Sequence, residues 1–357
     1  MKKICFLIGN MNLTGGTERV TSLIANTLGH QKNYEIYILS LFEGDKPQFP
    51  INSDINLCSL FSEKKSMKTM FLLAIWKIRK FLLKNEIDTL IVVDSISSFF
   101  TVPATLGLKI KHICWEHFNL STNLGSVFRD IGRILAVLFC DHIVTLTPSD
   151  EKMWRDRFKS VSSNKIIYIP NPNSFKSNHF YPSIESRSVL AIGRLSQEKG
   201  FDLLLKAWAL IVNKDNWKLK IVGSGEELEN LHQLACNLSI QSSVIFEPAN
   251  VNVQQYYESA TFFCLPSRIE GFGLVIVEAQ TFGLPVIAFN IETGPKELIR
   301  NNTGFLVEPY DTKALAEKIY EYMNISQYTL TSMSEKCKEN VKRFDSASIV
   351  ESWKRII

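Results

Sequence analysis

The sequence lacks several features that define common classes of protein. No apolar run approaches the roughly 18 residues that a membrane-spanning helix needs. The seven cysteines form no Cys-x-x-Cys pair, which argues against a structural zinc site or a redox motif. The stretch "VGSGEE" lacks the third glycine of the dinucleotide fingerprint, which disfavours a dehydrogenase. No Asp-x-Asp occurs along the chain.

Charge and cysteine usage narrow the class further. The net charge is +4, too small for a typical nucleic-acid-binding protein. Residues 1–170 hold 21 Lys and Arg against 15 Asp and Glu, an excess that suits an anionic membrane surface or a phosphorylated acceptor. The N-terminal apolar run is too short for a signal peptide, and the scattered cysteines fit buried thiols. These features predict a cytoplasmic protein.

Short β-rich runs alternate with longer helical segments, a pattern that predicts α/β structure with parallel sheets. At 357 residues the chain is long enough for two domains. A stretch rich in Pro, Asn and Ser at 170–183 interrupts the alternation and predicts a linker. We therefore predict domains over 1–170 and 171–339, with the segment 340–357 packing back on the first domain.

The loop after one predicted strand carries two cations. In "AIGRLSQEKGF", Gly193 ends the strand, Arg194 and Lys199 lie five residues apart, and a helix follows. Cations beside a helix N-terminus suit a diphosphate. The alternative is a solvated basic loop.

A second loop carries one of two carboxylates that lie eight residues apart. In "LPSRIEGFGLVIVEAQ", Glu270 precedes Gly271, Phe272 and Gly273, and Glu278 lies on the helix that follows. Carboxylates accept several hydrogen bonds and suit the hydroxyls of a sugar or a ribose. The alternative makes Glu270 an acid at a helix N-terminus and Glu278 a buried, paired acid.

These stretches, in this order, resemble a known family. "GRLSQEKG" followed by "LPSRIEGFGLVIVEAQTFGLPVIA" is similar to the C-terminal domain of the retaining GT-B glycosyltransferases of family 4. "GGTER", "IPNPN" and "GPKELI" with "NNTGFLVEPYD" extend the resemblance over nearly the whole chain. The resemblance implies a GT-B fold, with two Rossmann-like, doubly wound domains that face each other across a cleft.

The resemblance also implies roles for individual residues. Arg194 and Lys199 would hold the diphosphate of a nucleotide sugar, Glu270 would meet the sugar hydroxyls, and Glu278 would bind the ribose. The implied site further includes first-domain residues and backbone groups of the two loops: Gly15, Gly16, His117, Gly193, Gly271, Phe272 and Gly273. The implied catalytic residues are Glu270, His117, Arg194 and Lys199, although no protein nucleophile is assigned.

One loop departs from the family pattern. Glu247 is followed by Pro248, Ala249 and Asn250 where similar sequences usually have a glycine. This loop would border the nucleobase, so the identity of the base is the weakest inference. No cofactor and no metal are expected, because protein cations would neutralise the diphosphate.

The predicted helix within 62–84 holds seven cations and one acid. Phe71, Ile75, Ile78 and Leu82 form an apolar stripe, and Lys77, Lys80 and Lys84 are expected opposite it. The alternatives are an ordinary core helix with a solvated basic face and a helix that docks peripherally on anionic lipid.

The sequence therefore predicts a cytoplasmic retaining glycosyltransferase. It would move a hexose or N-acetylhexosamine from a UDP sugar to a glycan acceptor, lipid-linked, in the synthesis of a surface polysaccharide such as O-antigen, capsule or lipopolysaccharide. The alternatives are a sugar-nucleotide epimerase of the same fold and a non-catalytic subunit that binds nucleotide sugar or docks on the membrane.

Overall fold

A computed structural model describes residues 1–64, 67–162, 164–176 and 178–357. The described residues form two compact units, Met1–Ser174 together with Asp345–Ile357, and Phe175–Phe344. The sequence prediction placed the boundaries after residues 170 and 339, and these units divide after Ser174 and Phe344. Of the predicted linker and basic helix, Ser177, Lys65 and Ser66 lie outside the described residues.

In the described part of the first unit, seven parallel strands form one sheet in the order β3-β2-β1-β4-β5-β6-β7. The strands are β1 (Lys2–Ile8), β2 (Tyr34–Phe42), β3 (Asn56–Phe61), β4 (Thr89–Val93), β5 (Lys111–Trp115), β6 (His142–Thr145) and β7 (Ile166–Tyr168). The helices of this unit are α1 (Gly16–Gly29), α2 (Met67–Lys84), α3 (Ser98–Thr105), α4 (Val127–Phe139), α5 (Pro148–Arg157) and, from the C-terminal segment, α13 (Ser346–Lys354). Helices on both faces bury the central strands, which explains why every residue of β4 is buried.

The second unit repeats this architecture with six described parallel strands in the order β10-β9-β8-β11-β12-β13. The strands are β8 (Ser188–Ile192), β9 (Lys218–Val222), β10 (Val244–Glu247), β11 (Phe262–Leu265), β12 (Val286–Phe289) and β13 (Gly304–Val307). The helices are α6 (Phe201–Leu210), α7 (Leu228–Asn237), α8 (Gln254–Glu258), α9 (Leu274–Thr281), α10 (Pro295–Leu298), α11 (Thr312–Met323) and α12 (Gln327–Val341). The fold prediction of two doubly wound α/β units is confirmed.

Each sheet has one point where the strand order reverses. In the first sheet β1 lies beside β4, and in the second sheet β8 lies beside β11. In open parallel sheets, ligands bind outside the carboxyl ends of the strands at such a switch point. The loops that follow these four strands are therefore where a site is expected in each unit.

One strand differs from the sequence prediction. The edge strand β3 was not predicted, because its sequence NLCSLF is short and its first residues are exposed. In the second unit, helix α7 begins only at Leu228, and a turn directly precedes it.

The C-terminal helix α13 packs on the first unit through Trp353. The Trp353 side chain is fully buried, and its ring meets that of Trp115 edge-on, with centroids 4.9 Å apart. Trp115 ends β5, so this helix covers the same sheet that carries His117.

Candidate functional site

The two loops at the switch point of the second sheet are joined by a charge pair. The Lys199 Nζ donates to Glu270 Oε1 at 2.6 Å, and the Ser267 hydroxyl donates to the same oxygen at 2.7 Å. The Glu270 side chain is only 7% exposed, whereas that of Lys199 is 27% exposed. Two groups predicted from separate loops therefore meet in one partly buried cluster, to which Ser267 belongs as well.

Close packing and a second ion pair hold these loops together. Gly200 adopts a left-handed φ of +67°, and a Cβ at this position would lie 2.0 Å from the Pro266 carbonyl oxygen. Arg268 makes two hydrogen bonds to the Asp202 carboxylate, at 2.7 and 2.8 Å, and a third to the Gln197 carbonyl. Burial opposes the charge on Asp202, but the bonds from Arg268 lower its pKa. The loop that carries Glu270 is thus anchored to the start of α6.

The glycines after Glu270 lead directly into helix α9. Gly273 caps the N-terminus of α9 with a left-handed φ of +90°, a conformation that favours glycine. Phe272 is buried with its ring edge-on to Phe344, while Gly271 is half-buried. The Thr293 hydroxyl donates to the Glu270 carbonyl, which fixes the main chain of the loop. The N-terminus of α9 therefore lies beside the Lys199–Glu270 pair.

Arg194 does not join this cluster. Its side chain is 71% exposed and pairs with Glu226 at 3.0 Å. Gly193, which precedes it, lies against the stem of Lys199, since a Cβ there would be 3.7 Å from Lys199 Cδ. The two cations predicted to act together thus pair with different acids, and an exposed pair of this kind contributes little to stability.

Glu278 lies inside the second unit. It is 1% exposed on α9, and the buried Tyr257 hydroxyl donates to its Oε2 at 2.8 Å. This geometry matches the alternative of a buried, paired acid. Its predicted contact with a ribose stays a prediction.

The loop predicted to border a nucleobase is exposed. Pro248, Ala249 and Asn250 follow β10 and lie at the surface. The Ala249 amide donates to the Ser224 hydroxyl at 3.1 Å, which ties this loop to the glycine turn after β9.

In the first unit, Gly15 and Gly16 form the exposed start of α1. Gly15 is the N-cap and Gly16 is the first helical residue, so both follow β1 at the carboxyl edge of the sheet. Their predicted approach to a diphosphate stays a prediction.

His117 follows β5 and is 8% exposed. Its ring lies 4.4 Å from that of Trp115, and its Nε2 has no hydrogen-bond partner among the described residues. Burial lowers the pKa of His117 to about 3, so the imidazole is neutral at physiological pH. The ring nitrogen of a neutral imidazole can donate a hydrogen bond to a ligand hydroxyl or accept one from it, depending on the tautomer.

A buried charge network, missed in the sequence, positions the backbone of His117. Glu116 Oε1 accepts hydrogen bonds at 3.0 Å from the amides of His117 and Phe118, and Glu116 Oε2 accepts from Arg133 Nε at 2.9 Å. Arg129 makes two bonds to Asp94, at 2.5 and 3.0 Å. The only sequence signal was that Asp94 and Glu116 each follow directly after a strand.

Asp94 also lies at a cavity of about 610 Å³ at the switch point of the first sheet. The cavity is bounded by Gly9 after β1 and by Asp94 after β4, with Thr17 and Glu18 of α1 beside them. The remaining wall is largely aromatic, with the rings of Phe71, Phe99, Phe100, Phe118 and Phe128. Asp94 has a φ of +79°, unusual for a residue other than glycine, and burial followed by the charge of Glu116 raises its pKa to about 6. The size is that of a ligand pocket, which typically holds about 300–1,000 Å³.

The predicted basic helix has a different arrangement of charges. Ile78 and Leu82 of α2 are buried and Phe71 and Ile75 pack partly on the same core, as expected. Lys77, however, donates to the Leu60 carbonyl at 2.8 Å and lies over the ring of Phe61. The prediction that Lys77 shares a solvated face with Lys80 and Lys84 is therefore wrong, because β3, which was not predicted, covers it.

Among the helices that the structure describes, none combines the length and apolarity needed to cross a bilayer.

The sequence of this chain is similar to those of known glycosyltransferases. Residues 14–172 match the family model described as Glycosyltransferase Family 4, and residues 178–344 match Glycosyl transferases group 1. An uncharacterized glycosyltransferase of Haemophilus influenzae is 39% identical over 100% of both chains. An alpha-1,4-N-acetyl-D-galactosaminyltransferase of Campylobacter jejuni, named for an acceptor glycan on PP-undecaprenol, is 29% identical over 100% of this chain and 98% of the relative.

A solved structure of S. aureus TarM, in complex with UDP and alpha-GlcNAc-glycerol among others, has a similar fold. Its TM-score is 0.84 at 16% identity, and the match covers 100% of this chain and 99% of TarM. Since two family models match successive units and a full-length relative is 39% identical, the chain belongs to the GT-B glycosyltransferases of the family 4 type.

Proposed function

We propose that this enzyme is a retaining glycosyltransferase that moves a hexose or N-acetylhexosamine from a UDP sugar to a lipid-linked glycan in surface polysaccharide synthesis. The observation that carries the proposal is the Lys199–Glu270 pair at the switch point of the second sheet. The named acceptor of the Campylobacter jejuni relative supports a lipid-linked glycan, and the UDP in the TarM complex supports the base.

In this proposal the diphosphate lies at the N-terminus of α9, next to Lys199. An ammonium and helix-terminal amides are well suited to a diphosphate. Arg194 leaves its weak surface pair with Glu226 and adds a second cation. The backbone of Gly193, Gly271 and Gly273 permits the close approach that phosphate oxygens require.

Glu270 accepts hydrogen bonds from hydroxyls of the donor sugar. Lys199 and Ser267 both donate to Oε1 of Glu270, at 2.6 and 2.7 Å. In this proposal the other carboxylate oxygen, Oε2, accepts from the sugar. Glu278 binds the ribose after a small rearrangement at Tyr257, and the exposed loop at Pro248, Ala249 and Asn250 borders the base.

The chemistry consists of exchanging one C–O bond for another. The bond from the anomeric carbon to the diphosphate breaks, and the acceptor oxygen forms a new bond on the same face. The acceptor proton passes to the departing diphosphate oxygen, so no protein nucleophile is required. Lys199, Arg194 and the helix amides stabilise the charge that develops on the leaving group. Because these cations neutralise the diphosphate, we expect turnover to persist in EDTA.

We place the acceptor in the aromatic cavity of the first unit. Asp94 and Glu18 offer carboxylates to its hydroxyls, and the phenylalanine rings contact its apolar parts. His117 is neutral, and its Nε2, which has no partner among the described residues, adds a hydrogen bond to a hydroxyl of the donor sugar. Gly15 and Gly16 contribute backbone contacts to the donor. We expect the enzyme to work in the cytoplasm, at the membrane that carries its acceptor.

A donor screen followed by product analysis tests the function. Thermal shift with a panel of nucleotide sugars identifies the donor, because a ligand that binds the native state raises its stability. The enzyme is then incubated with that donor and lipid-linked acceptors, with Lys336→Ala, which alters an exposed pair on α12, as the control variant. A glycosylated lipid supports the proposal. Epimerised donor without any acceptor product would instead indicate a sugar-nucleotide epimerase, and binding without turnover would indicate a non-catalytic subunit.

A further inference from the structure

Helix α4 has its charged and apolar residues on unexpected sides. Arg129 and Arg133, four residues apart, are 6% and 1% exposed and face the buried acids Asp94 and Glu116. Apolar Val127, Ile134 and Leu138 are instead 68%, 47% and 63% exposed. Their spacing of seven and four residues places them along one face of the helix.

Helix α2 exposes a similar apolar row. Leu72, Trp76 and Leu83 are 77%, 55% and 54% exposed, and they are again four and seven residues apart. Ile78 and Leu82 of the same helix are buried in the core. The exposed row is therefore separate from the apolar stripe through which α2 packs on the unit. We call Leu72, Trp76, Leu83, Val127, Ile134 and Leu138 the outer apolar surface.

The two helices that carry these rows pack against a common neighbour. Helix α3 packs against both α2 and α4. Phe99 of α3 contacts Phe71 of α2 and Phe128 of α4, with ring centroids 4.7 and 5.3 Å apart. A soluble monomer rarely exposes an apolar patch larger than a few hundred Å² without a function for it.

Charge favours a bilayer as the partner of this surface. The exposed Lys80 lies with its Nζ 5.0 Å from the Trp76 ring, and the exposed Lys84 follows one turn later. Apolar side chains, a tryptophan and lysines on one surface are typical of helices that lie in the interface of an anionic membrane. The excess of positive charge in residues 1–170 acts in the same direction.

The cavity of the first unit gives a second reason to prefer lipid over protein. Phe71 and Phe128 line the cavity, and they directly adjoin Leu72 and Val127 of the outer apolar surface. Apolar side chains therefore occupy consecutive positions, 71–72 of α2 and 127–128 of α4, between the cavity lining and the exposed rows. Flexible hydrocarbon chains can follow such a surface, whereas a folded partner would need a matching apolar protrusion.

We propose that α4 and α2 insert their outer apolar surface into an anionic bilayer. This proposal differs from the predicted docking through a basic face of α2. Lys77 of that face donates to the Leu60 carbonyl. The side chains proposed to insert are apolar. The inference rests on the proposed function in one respect, namely that a lipid-linked acceptor would be held at the membrane. Docking would bring the aromatic cavity to the depth at which such an acceptor is held.

Vesicle flotation tests the inference with a double variant and a matched control. The full-length enzyme is mixed with phosphatidylglycerol–phosphatidylcholine vesicles, without donor or acceptor. Ile134→Gln with Leu138→Gln should lower the partition coefficient at least about tenfold, because two apolar side chains lose their transfer to hydrocarbon. Val212→Gln with Tyr328→Gln, at positions 97% and 86% exposed in the second unit, should leave it unchanged. A part of the wild-type binding should survive high salt, since apolar insertion is not screened.

Tryptophan quenching supplies an independent readout. Of the six tryptophans, Trp115, Trp154, Trp208, Trp217 and Trp353 are buried, and only Trp76 is exposed. Brominated acyl chains should therefore quench wild-type fluorescence, and Trp76→Phe should abolish the effect.

Three results would overturn the inference. They are absence of binding to anionic vesicles, equal binding by the α4 double variant, and a self-association in solution that the double variant abolishes. The last would show that a second copy of the chain covers the surface. Transfer to a water-soluble acceptor would continue in each case, so this failure is distinct from a failure of the proposed function.

Discussion

The pair of Lys199 and Glu270 is a partly buried ion pair that a ligand can reach. The Glu270 side chain is 7% exposed and accepts hydrogen bonds from the Lys199 ammonium and the Ser267 hydroxyl. Removing one member of a fully buried pair costs about 3–5 kcal/mol, and the partial exposure of Lys199 reduces that cost. The pair thus fixes the position of a carboxylate where sugar hydroxyls are proposed to bind.

Glu270→Gln should separate sugar recognition from nucleotide binding. The amide keeps the shape but loses the charge-assisted hydrogen bonds to sugar hydroxyls. A hydrogen bond to a charged group contributes about 1.5–3 kcal/mol, so kcat/KM should fall about ten- to a hundredfold. The affinity for UDP, which has no sugar, should stay within about threefold by calorimetry. A variant with normal turnover would contradict the assigned role.

His117 should make stability depend on pH. Its pKa is about 3 in the folded protein, against an ordinary value of 6.5, because burial disfavours the charged ring. Between these values the unfolded chain binds a proton that the folded chain does not, so the stability contributed by neutral His117 is present above pH 6.5 and is lost as the pH falls towards 3.

The measurement is thermal unfolding of wild type and His117→Gln between pH 7 and pH 4. The wild type should lose more stability than the variant over this range. Asp94 and Asp150, with pKa values raised by burial to about 6 and about 7, contribute with the opposite sign in both proteins and cancel in the comparison. Parallel curves for the two proteins would show that His117 is not held neutral.

At the residue scale, the sequence indicated which charged side chains lie at the candidate site, but not which side chains they pair with. Lys199 and Glu270 could be placed because each follows a buried strand, and parallel strands end at one edge of a sheet. That Arg194 would pair with Glu226 could not be predicted, since the choice depends on which side chain happens to lie nearby. The network around Glu116 was missed for the same reason.

At the scale of elements, the two loops of the second unit are held by their close approach at Gly200. Gly200→Ala should destabilise the second unit, because the methyl would lie 2.0 Å from the Pro266 carbonyl and φ is +67°. Gly107→Ala is the matched control, since φ there is +75° but no atom lies within 4 Å of the new Cβ.

The control should cost about 1 kcal/mol from backbone strain alone, and Gly200→Ala should cost more. Apparent Tm with and without UDP measures both effects. Equal shifts in Tm for the two variants would mean that the loops are not in tight contact.

Helices and strands with a strong apolar pattern could be predicted from the sequence. Elements that depend on contacts with residues distant in sequence could not. The core strands β4, "TLIVV", and β11, "FFCL", are buried throughout and almost wholly apolar, so the sequence alone indicates them. β3 has only two buried residues and depends on pairing with β2. The sides of α4 were also unpredictable, because its arginines face acids that lie far away in sequence, at 94 and 116.

At the scale of the whole molecule, the last helix belongs to the first unit although it follows the second in sequence. Trp353→Ala should destabilise the first unit by about 3–5 kcal/mol, the usual effect of removing a fully buried tryptophan. Glu351→Ala, which alters an exposed pair with Lys354, is the control.

Hydrogen exchange resolves the two units in this comparison. Faster exchange in β4 and β5 with unchanged exchange in β8 and β11 is expected for Trp353→Ala. A uniform change in both units, or none, would contradict the packing of α13 described above.

The organisation into two α/β units followed from the alternation of strands and helices, and the order of motifs was enough to identify the family. The predicted cleft between the domains remains a prediction, as do the roles of Gly15, Gly16 and Glu278. Those roles depend on a bound donor, and hydrophobic patterning carries no information about the conformation that a ligand selects.

The most direct test of the central claim is the affinity of Lys199→Ala for UDP, measured by calorimetry beside wild type and Lys336→Ala. If the ammonium beside Glu270 neutralises the diphosphate, affinity should fall at least about tenfold, kcat/KM should fall with it, and the control should match wild type. A Lys199→Ala enzyme that is folded and binds UDP normally would contradict the account.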